Sequence, residues 1–208
     1  MTNELINGVA LADTPEKLVK AVQELALAKD VAAIPTLIAV FGYNNPTAAA
    51  IASTALVQLG EVAVPQLLTQ IDDYNYGARA YSIRTLAAIA DPRALDVLID
   101  AAATDFAPSV RRAAAKGLGN LHWHKLEFPD NQTAPKKALE TLLFISQDAE
   151  WSIRYAAIVG LQGLVNIPDL QQPIHTRLKE MLASDAEKAV RARILLAQSQ
   201  LEHHHHHH

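Results

Sequence analysis

The sequence predicts an all-α protein, a right-handed α-solenoid of about five helix pairs. Three observations carry that expectation. Alanine and leucine dominate a chain of 208 residues that is 50% apolar and 5% aromatic, a composition that favours helix over strand. Glycine and proline punctuate long periodic stretches. One pattern recurs, an aspartate followed six residues later by an arginine: Asp73 and Arg79, Asp105 and Arg111, Asp148 and Arg154, Asp185 and Arg191.

The arginines are 32, 43 and 37 residues apart. A repeating unit of that length, carrying two helices, buries its apolar side only by stacking on its neighbours. The first helix of each unit is expected to start near Pro35, Pro65, Asp91-Pro92 and Pro135, because a first-turn N–H has no helical partner to lose. The second helix is expected to begin just before each arginine. Counting from the arginine, offsets −1, +3, +7 and +10 are apolar or small. They read Val110, Ala114, Leu118 and Leu121 in one unit and Ile153, Ala157, Leu161 and Leu164 in the next. These positions share one helical face, the face that packs. The segment 35–60 keeps the register without the charges, with Ala49 in the arginine position followed by Leu56 and Leu59. Gly117 and Gly160, at offset +6, mark places where helices can approach closely. The aspartates read as acceptors for unpaired N–H groups at helix starts, and the arginines as bridges to the next repeat.

Residues 1–200 are expected to form one repeat domain. Residues 201–208, Leu-Glu and six histidines, read as a cloning scar and affinity tag. The formal net charge is −4, and −3 without Glu202, too acidic for a general nucleic-acid binder. With no cysteine there is no disulfide, no cysteine metal site and no thiol nucleophile. No secretory signal and no apolar run near the ~18 residues of a membrane span are visible, and a cytoplasmic location is expected.

Offsets +1, +5 and +8 form a second stripe away from the packed face. It reads Ala80, Arg84 and Ala87; then Arg112, Lys116 and Gly119; then Tyr155, Val159 and Gln162. This is either a solvated helix face or a groove for an anionic, partly apolar ligand. The segment from Leu121 to Pro135 makes one repeat eleven residues longer than its predecessor and gathers His122, Trp123, His124 and Phe128. Either Trp123 and Phe128 pack this loop onto the array, or the loop touches a ligand or partner. Two histidines with no third ligand nearby make no metal site. Tyr43, Tyr74, Tyr76 and Tyr81 form a further group near two turns, suited to recognition or to ordinary turn packing. No phosphate-binding glycine loop, nucleophile elbow or zinc spacing is present, and no catalytic residue can be named.

The repeats resemble the short form of the HEAT-like family, with Asp and Arg at the inter-helix turn. The runs Asp148 to Leu164 (DAEWSIRYAAIVGLQGL), Tyr81 to Leu95 and Pro108 to Leu121 go further. They resemble the cyanobacterial E/F-type phycocyanobilin lyases, and the length matches the smaller, beta-type (F) subunits. The resemblance implies a heterodimer with an alpha-type (E) subunit, acting on phycocyanobilin as substrate with no tightly bound cofactor. That pair joins the bilin by a thioether to a cysteine of the phycocyanin alpha subunit. The chemistry of the bilin then assigns roles: propionates to Arg84, Arg112 or Lys116, ring nitrogens to Asp72 or Asp73, and the π-system to Tyr155 or Trp123. Related lyases that also isomerise the bilin use a His-Cys pair near the position of His122 and His124. This chain has no cysteine, so ligation without isomerisation is expected. The alternative is a non-catalytic HEAT-like adaptor or chaperone that binds phycobiliproteins.

Overall fold

The computed structural model describes residues 1–71 and 74–205. Among them the chain forms twelve α-helices and no strand. They are α1 Thr2–Leu11, α2 Pro15–Leu27, α3 Ile34–Val40, α4 Pro46–Leu59, α5 Val64–Thr69 and α6 Tyr76–Ile89, then α7 Leu95–Thr104, α8 Pro108–Leu118, α9 Asp130–Ile145, α10 Trp151–Gly163, α11 Pro168–Ser184 and α12 Lys188–His205. Consecutive helices pair, so the described residues hold six pairs rather than about five. The additional pair, α1 and α2, lies before the first residue that the recurring pattern reaches.

The chain divides into two compact units, Met1–Ala94 and Leu95–His208. In the first, α2 packs on α4 and α4 on α6; in the second, α8 packs on α10 and α10 on α12. The second helices of the pairs therefore form the continuous layer of each unit, as in an α-solenoid.

The arginine register is structural. Arg79, Arg111, Arg154 and Arg191 are each the fourth residue of their helix, and Ala49 is the fourth residue of α4. The offsets predicted to pack do so. Val110, Ala114 and Leu118, like Ile153, Ala157, Leu161 and Leu164, are fully buried, and Ala48, Ala52, Leu56, Ala78, Ser82 and Leu86 form the corresponding face in the first unit.

Asp105, Asp148 and Asp185 each accept a hydrogen bond from the N–H two residues on, in Ala107, Glu150 and Glu187. These bonds shape the turn that launches the next helix. Each carboxylate of the last two is then met by the arginine of the preceding repeat. Arg111 Nη2 lies 2.7 Å from Asp148 Oδ2, and Arg154 Nε lies 2.7 Å from Asp185 Oδ2. The same arginines hold carbonyls at the preceding turn: Arg111 donates to Ala102, Arg154 to Asp148 and Ala149, and Arg191 to Leu182 and Asp185. Those carbonyls lie at or just beyond the end of the first helix, where intrahelical partners run out. Asp73, the aspartate of the first such pair, lies outside the described residues, as does Asp72.

The first unit also caps its helices with asparagine. Asn45 and Asn75 cap α4 and α6 by accepting from Ala48 and Ala78, and Asn45 Nδ2 donates back to the carbonyl of Pro15. Asparagine is a strong N-cap residue, so Asn45-Pro46 and Asn75-Tyr76 were legible start signals.

Three expectations are corrected by the fold. Pro135 does not open its helix: α9 starts at Asp130 and carries Pro135 as its sixth residue, just as α11 carries Pro173. Much of the presumed loop is thus helix, which leaves one i→i−4 hydrogen bond unmade at each proline. Second, Pro46–Thr69 includes a window of mean hydropathy 1.4, long and apolar enough by composition to cross a membrane. Gly60, at φ 79°, breaks that run between α4 and α5, and Leu56, Val64 and Leu67 from it are buried in the core. Third, the close approach of helices centres on Gly119, Gly160 and Gly163. A Cβ on Gly160 would stand 2.5 Å from the Ala115 carbonyl oxygen and 2.7 Å from Leu142 Cδ2; one on Gly119 would stand 2.8 Å from Gly160 Cα.

Two predictions follow from this packing. Gly119→Ala must push backbone against backbone and is expected to cost about 1–3 kcal/mol, in the range of overpacked cores. Gly8→Ala, at a helical site with nothing within 4 Å of the added Cβ, should instead stabilise by up to about 1 kcal/mol. Thermal melting of the two variants reads the opposite signs. Arg154→Ala strands Asp185, whose side chain is 6% exposed. The expected loss is about 3 kcal/mol, a fall in Tm of roughly 6–12 °C for a chain of this size.

The arginine ladder also sets the acid response. The Arg154 guanidinium holds the Asp185 carboxyl below its ordinary value. Burial opposes ionisation of Asp148, but the Glu150 amide and Arg111 outweigh it and lower that carboxyl as well. Both groups have folded values below the unfolded one, about 3.9. Their stabilisation is therefore complete above that value and is lost as pH falls through the lowered folded values. Between pH 5 and pH 2 the wild type should lose more Tm than Asp185→Asn does.

Candidate functional site

Some cations of the chain are tied to carboxylates and others are not. Arg93, Arg111 and Arg154 are paired to carboxylates, Arg93 with Asp91 at 3.0 Å. Arg84, Arg112 and Lys116, the cations assigned to the second stripe, make no ion pair among the described residues. Arg112 Nη1 meets only the neutral Ser152 hydroxyl at 3.3 Å, which in turn donates to Glu150. The Arg84 guanidinium stands 5.6 Å from the ring centroid of Tyr81, which stacks at 5.6 Å on Phe41. A guanidinium held by an aromatic face keeps its N–H edge free for an anion. An uncompensated cation at a fixed place is what a surface that receives a negative group requires.

The second unit brings several candidates together. Arg112 and Lys116 are one turn apart on α8, and Tyr155, half-buried, occupies on α10 the position that Arg112 occupies on α8. Lys116 is exposed. Arg84 belongs to α6 of the first unit. The stripe is narrower than predicted. Ala80 is 5% exposed, and Gly119 is sealed in the glycine crossing. α6 packs on both α4 and α5, and α8 on both α7 and α10, so the buried arc of each spans more than one face. Offset +5 is the position that stays open in α6 and α8.

After α8 the chain turns through Trp123–Lys125, a 3-10 turn, before α9. His122 and His124 are exposed with their rings 5.5 Å apart, tilted by 37°. No further histidine, aspartate or glutamate completes a metal-binding group with them among the described residues. Trp123 is half-buried, but Phe128 is 75% exposed, so Phe128 does not pack this segment onto the array. Of the tyrosines, Tyr43, Tyr74 and Tyr76 are exposed, whereas Tyr81 lies within α6 against Phe41.

One feature of the second unit escaped the stripe pattern. Arg193 sits at offset +2 on α12, donates to Gln162 at 2.7 Å, and keeps its buried Nη1 without a partner; Gln162 also bonds Gln200. Two clefts open on the first unit. One, of about 670 Å3, lies between the α1–α2 and α3–α4 turns and includes Asp13, Tyr43, Asn44 and Asn45. The other, of about 690 Å3, lies between α2 and α4.

Stacked helix pairs with a bridging Asp–Arg turn and an open face of unpaired cations define a HEAT-repeat protein. A family model described as HEAT repeats matches residues 64–162, and a designed armadillo repeat protein superposes with a TM-score of 0.57 at 13% identity, over 95% of this chain and 98% of that one. Among sequence relatives, the chain is 46% identical to a phycobilisome maturation protein of Synechococcus elongatus, over 97% of this chain and 98% of the relative. It is likewise 46% identical to the phycocyanobilin lyase subunit beta of Pseudanabaena tenuis, over 96% and 73%. To the phycocyanin alpha phycocyanobilin lyase CpcF of Synechocystis it is 46% identical over 92% and 90%. The chain belongs to the family of phycocyanobilin lyase beta subunits.

The two arginines that follow each other on α8 offer a direct check. Arg111→Ala removes a bridge between repeats and should lower Tm by several degrees. Arg112→Ala removes only one long bond to the neutral Ser152 hydroxyl at the start of α10 and should shift Tm by no more than about 1–2 °C.

Proposed function

We propose that this chain is the beta-type half of a heterodimeric phycocyanobilin lyase. With an alpha-type (E) partner it attaches phycocyanobilin, in the cytoplasm, through a thioether to a cysteine of the phycocyanin alpha subunit. The observation that carries the reading is the 46% identity to the lyase CpcF across nearly the whole of both chains. The absence of cysteine from the sequence suits it, because the nucleophilic sulfur belongs to the acceptor protein. The lyase then has to hold a flexible tetrapyrrole, orient it, and favour protonation of its reacting end.

The side chains available suit those tasks. The bilin propionates are anions, and Arg84, Arg112 and Lys116 are cations without carboxylate partners. Tyr155 and Trp123 are aromatic surfaces for the π-system. His122 and His124 are imidazoles on an exposed segment, their rings 5.5 Å apart. The bilin is a substrate here, and no tightly bound cofactor is invoked. A carboxylate for the ring nitrogens was placed at Asp72 or Asp73, which lie outside the described residues.

The test is reconstitution with the alpha-type subunit, apo-phycocyanin alpha subunit and phycocyanobilin. The pair should attach bilin to one cysteine, while this chain alone should add nothing above the spontaneous reaction. A charge-assisted bond to a propionate contributes about 1.5–3 kcal/mol, so removing the cation that holds one, Arg84, Arg112 or Lys116, should weaken bilin binding by the pair about tenfold or more with Tm nearly unchanged. Bilin attachment by the isolated chain would refute the division of labour. A pair that binds phycocyanin yet attaches no bilin would make this chain an adaptor.

A further inference from the structure

The larger cleft of the first unit has a chemistry that the stripe of cations does not explain. It lies between α2 and α4, and its lining is Gln23, Ala26, Leu27 and Lys29 on one side and Ala50, Ile51, Thr54, Ala55 and Gln58 on the other. Leu27 is 79% exposed, which leaves a large apolar side chain in water at the rim. The floor is alanine and isoleucine. Gln23, Thr54 and Gln58 place neutral hydrogen-bonding groups around it. Lys29, just after the end of α2, is exposed; its backbone N–H donates to the Ala26 carbonyl, and its ammonium makes no hydrogen bond or ion pair among the described residues. Thr54 and Arg84 both stand five residues after the fourth position of their helices, and α4 packs on α6. The unpaired Arg84 is therefore carried by the next helix of the same unit.

We propose that this α2–α4 cleft is the seat of the tetrapyrrole, with Lys29 taking a propionate. The inference rests on the bilin-lyase reading and assigns it a pocket. A linear tetrapyrrole combines an apolar, flat ring system, amide-like lactam ends and carboxylates. The cleft supplies the complement of each: an apolar floor, side-chain amides and a hydroxyl, and a free ammonium. A volume of about 690 Å3 suits a ligand of that size. The neighbouring cleft of similar volume carries Asp13 and no cation in its lining, and so does not match an anionic ligand.

The experiment titrates free phycocyanobilin, followed by its visible absorption, into the reconstituted pair, and measures association of the two subunits in parallel. Ala50→Trp fills the cleft from an exposed helical position, and Lys29→Glu reverses its charge. Each should raise the Kd for the bilin about tenfold or more, since either an anchoring charge-assisted bond or the seat itself is lost. Subunit association and Tm should stay as in the wild type. Leu11→Gln, which removes an exposed apolar residue outside the cleft, should leave bilin binding unchanged. Wild-type affinity in both Ala50→Trp and Lys29→Glu, in a pair that still attaches bilin, would overturn the cleft assignment and leave the lyase reading standing. Loss of subunit association with unchanged bilin affinity would also overturn it, and would make the cleft a protein-docking site. A wild-type pair that binds no bilin would remove the lyase reading and this inference together.

Discussion

An arginine in the first turns of an α-helix stands at the wrong end of the helix dipole, where positive charge is disfavoured. Arg111, Arg154 and Arg191 all occupy that place. Arg111 and Arg154 are tolerated there because the next repeat delivers an aspartate to each guanidinium, and all three satisfy carbonyls at the preceding turn. One side chain thus ties three pieces of backbone: the end of the first helix, the start of the second and the turn of the following pair. Without that tie the register of successive pairs in the second unit would rest on apolar contact, which is not directional, and on bonds to neutral side chains such as those of Arg177 to Ser146 and Arg193 to Gln162.

Because these carboxylates are committed to the ladder, they leave other cations uncompensated. Arg84, Arg112 and Lys116 are not spare partners for structural acids; they stand on the open side of the second helices. The separation is one of position. Arg111, Arg154 and Arg191 reach back to the turns, whereas Arg84, Arg112 and Lys116, one or five places further along, do not. A mildly acidic protein can in this way present unpaired cations to an anionic ligand.

Much of the fold was legible because the repeat writes the same physical requirement several times. The offsets that pack, the arginine register and the bridging role of the aspartates all follow from that periodicity. What escaped was local and unrepeated. Asn45 and Asn75 cap α4 and α6 with amides, so a search for charge missed them. Pro135 reads as a helix start by rule, yet polar residues upstream extend α9 beyond it. Gly119 looked like part of an open stripe, because one-dimensional spacing does not show that α8 is flanked by a helix that comes to backbone contact. The cleft between α2 and α4 was invisible for a related reason: α2 lies outside the arginine pattern, so no register placed its side chains beside those of α4. Of the candidate residues, Arg84 and Lys116 at offset +5 are exposed, as is Phe128, whereas Tyr81 stacks on Phe41 within α6.

The glycine crossing between α8 and α10 has a consequence for the face those helices share. Where Gly119, Gly160 and Gly163 meet, no layer of side chains lies between the two backbones that could slide or change rotamer. The two helices are locked as a single plate, and Arg112 on one and Tyr155 on the other keep a fixed separation before any ligand arrives. A flexible molecule that lands there finds its contacts already in place, so the entropy lost on association falls on the guest rather than on the host.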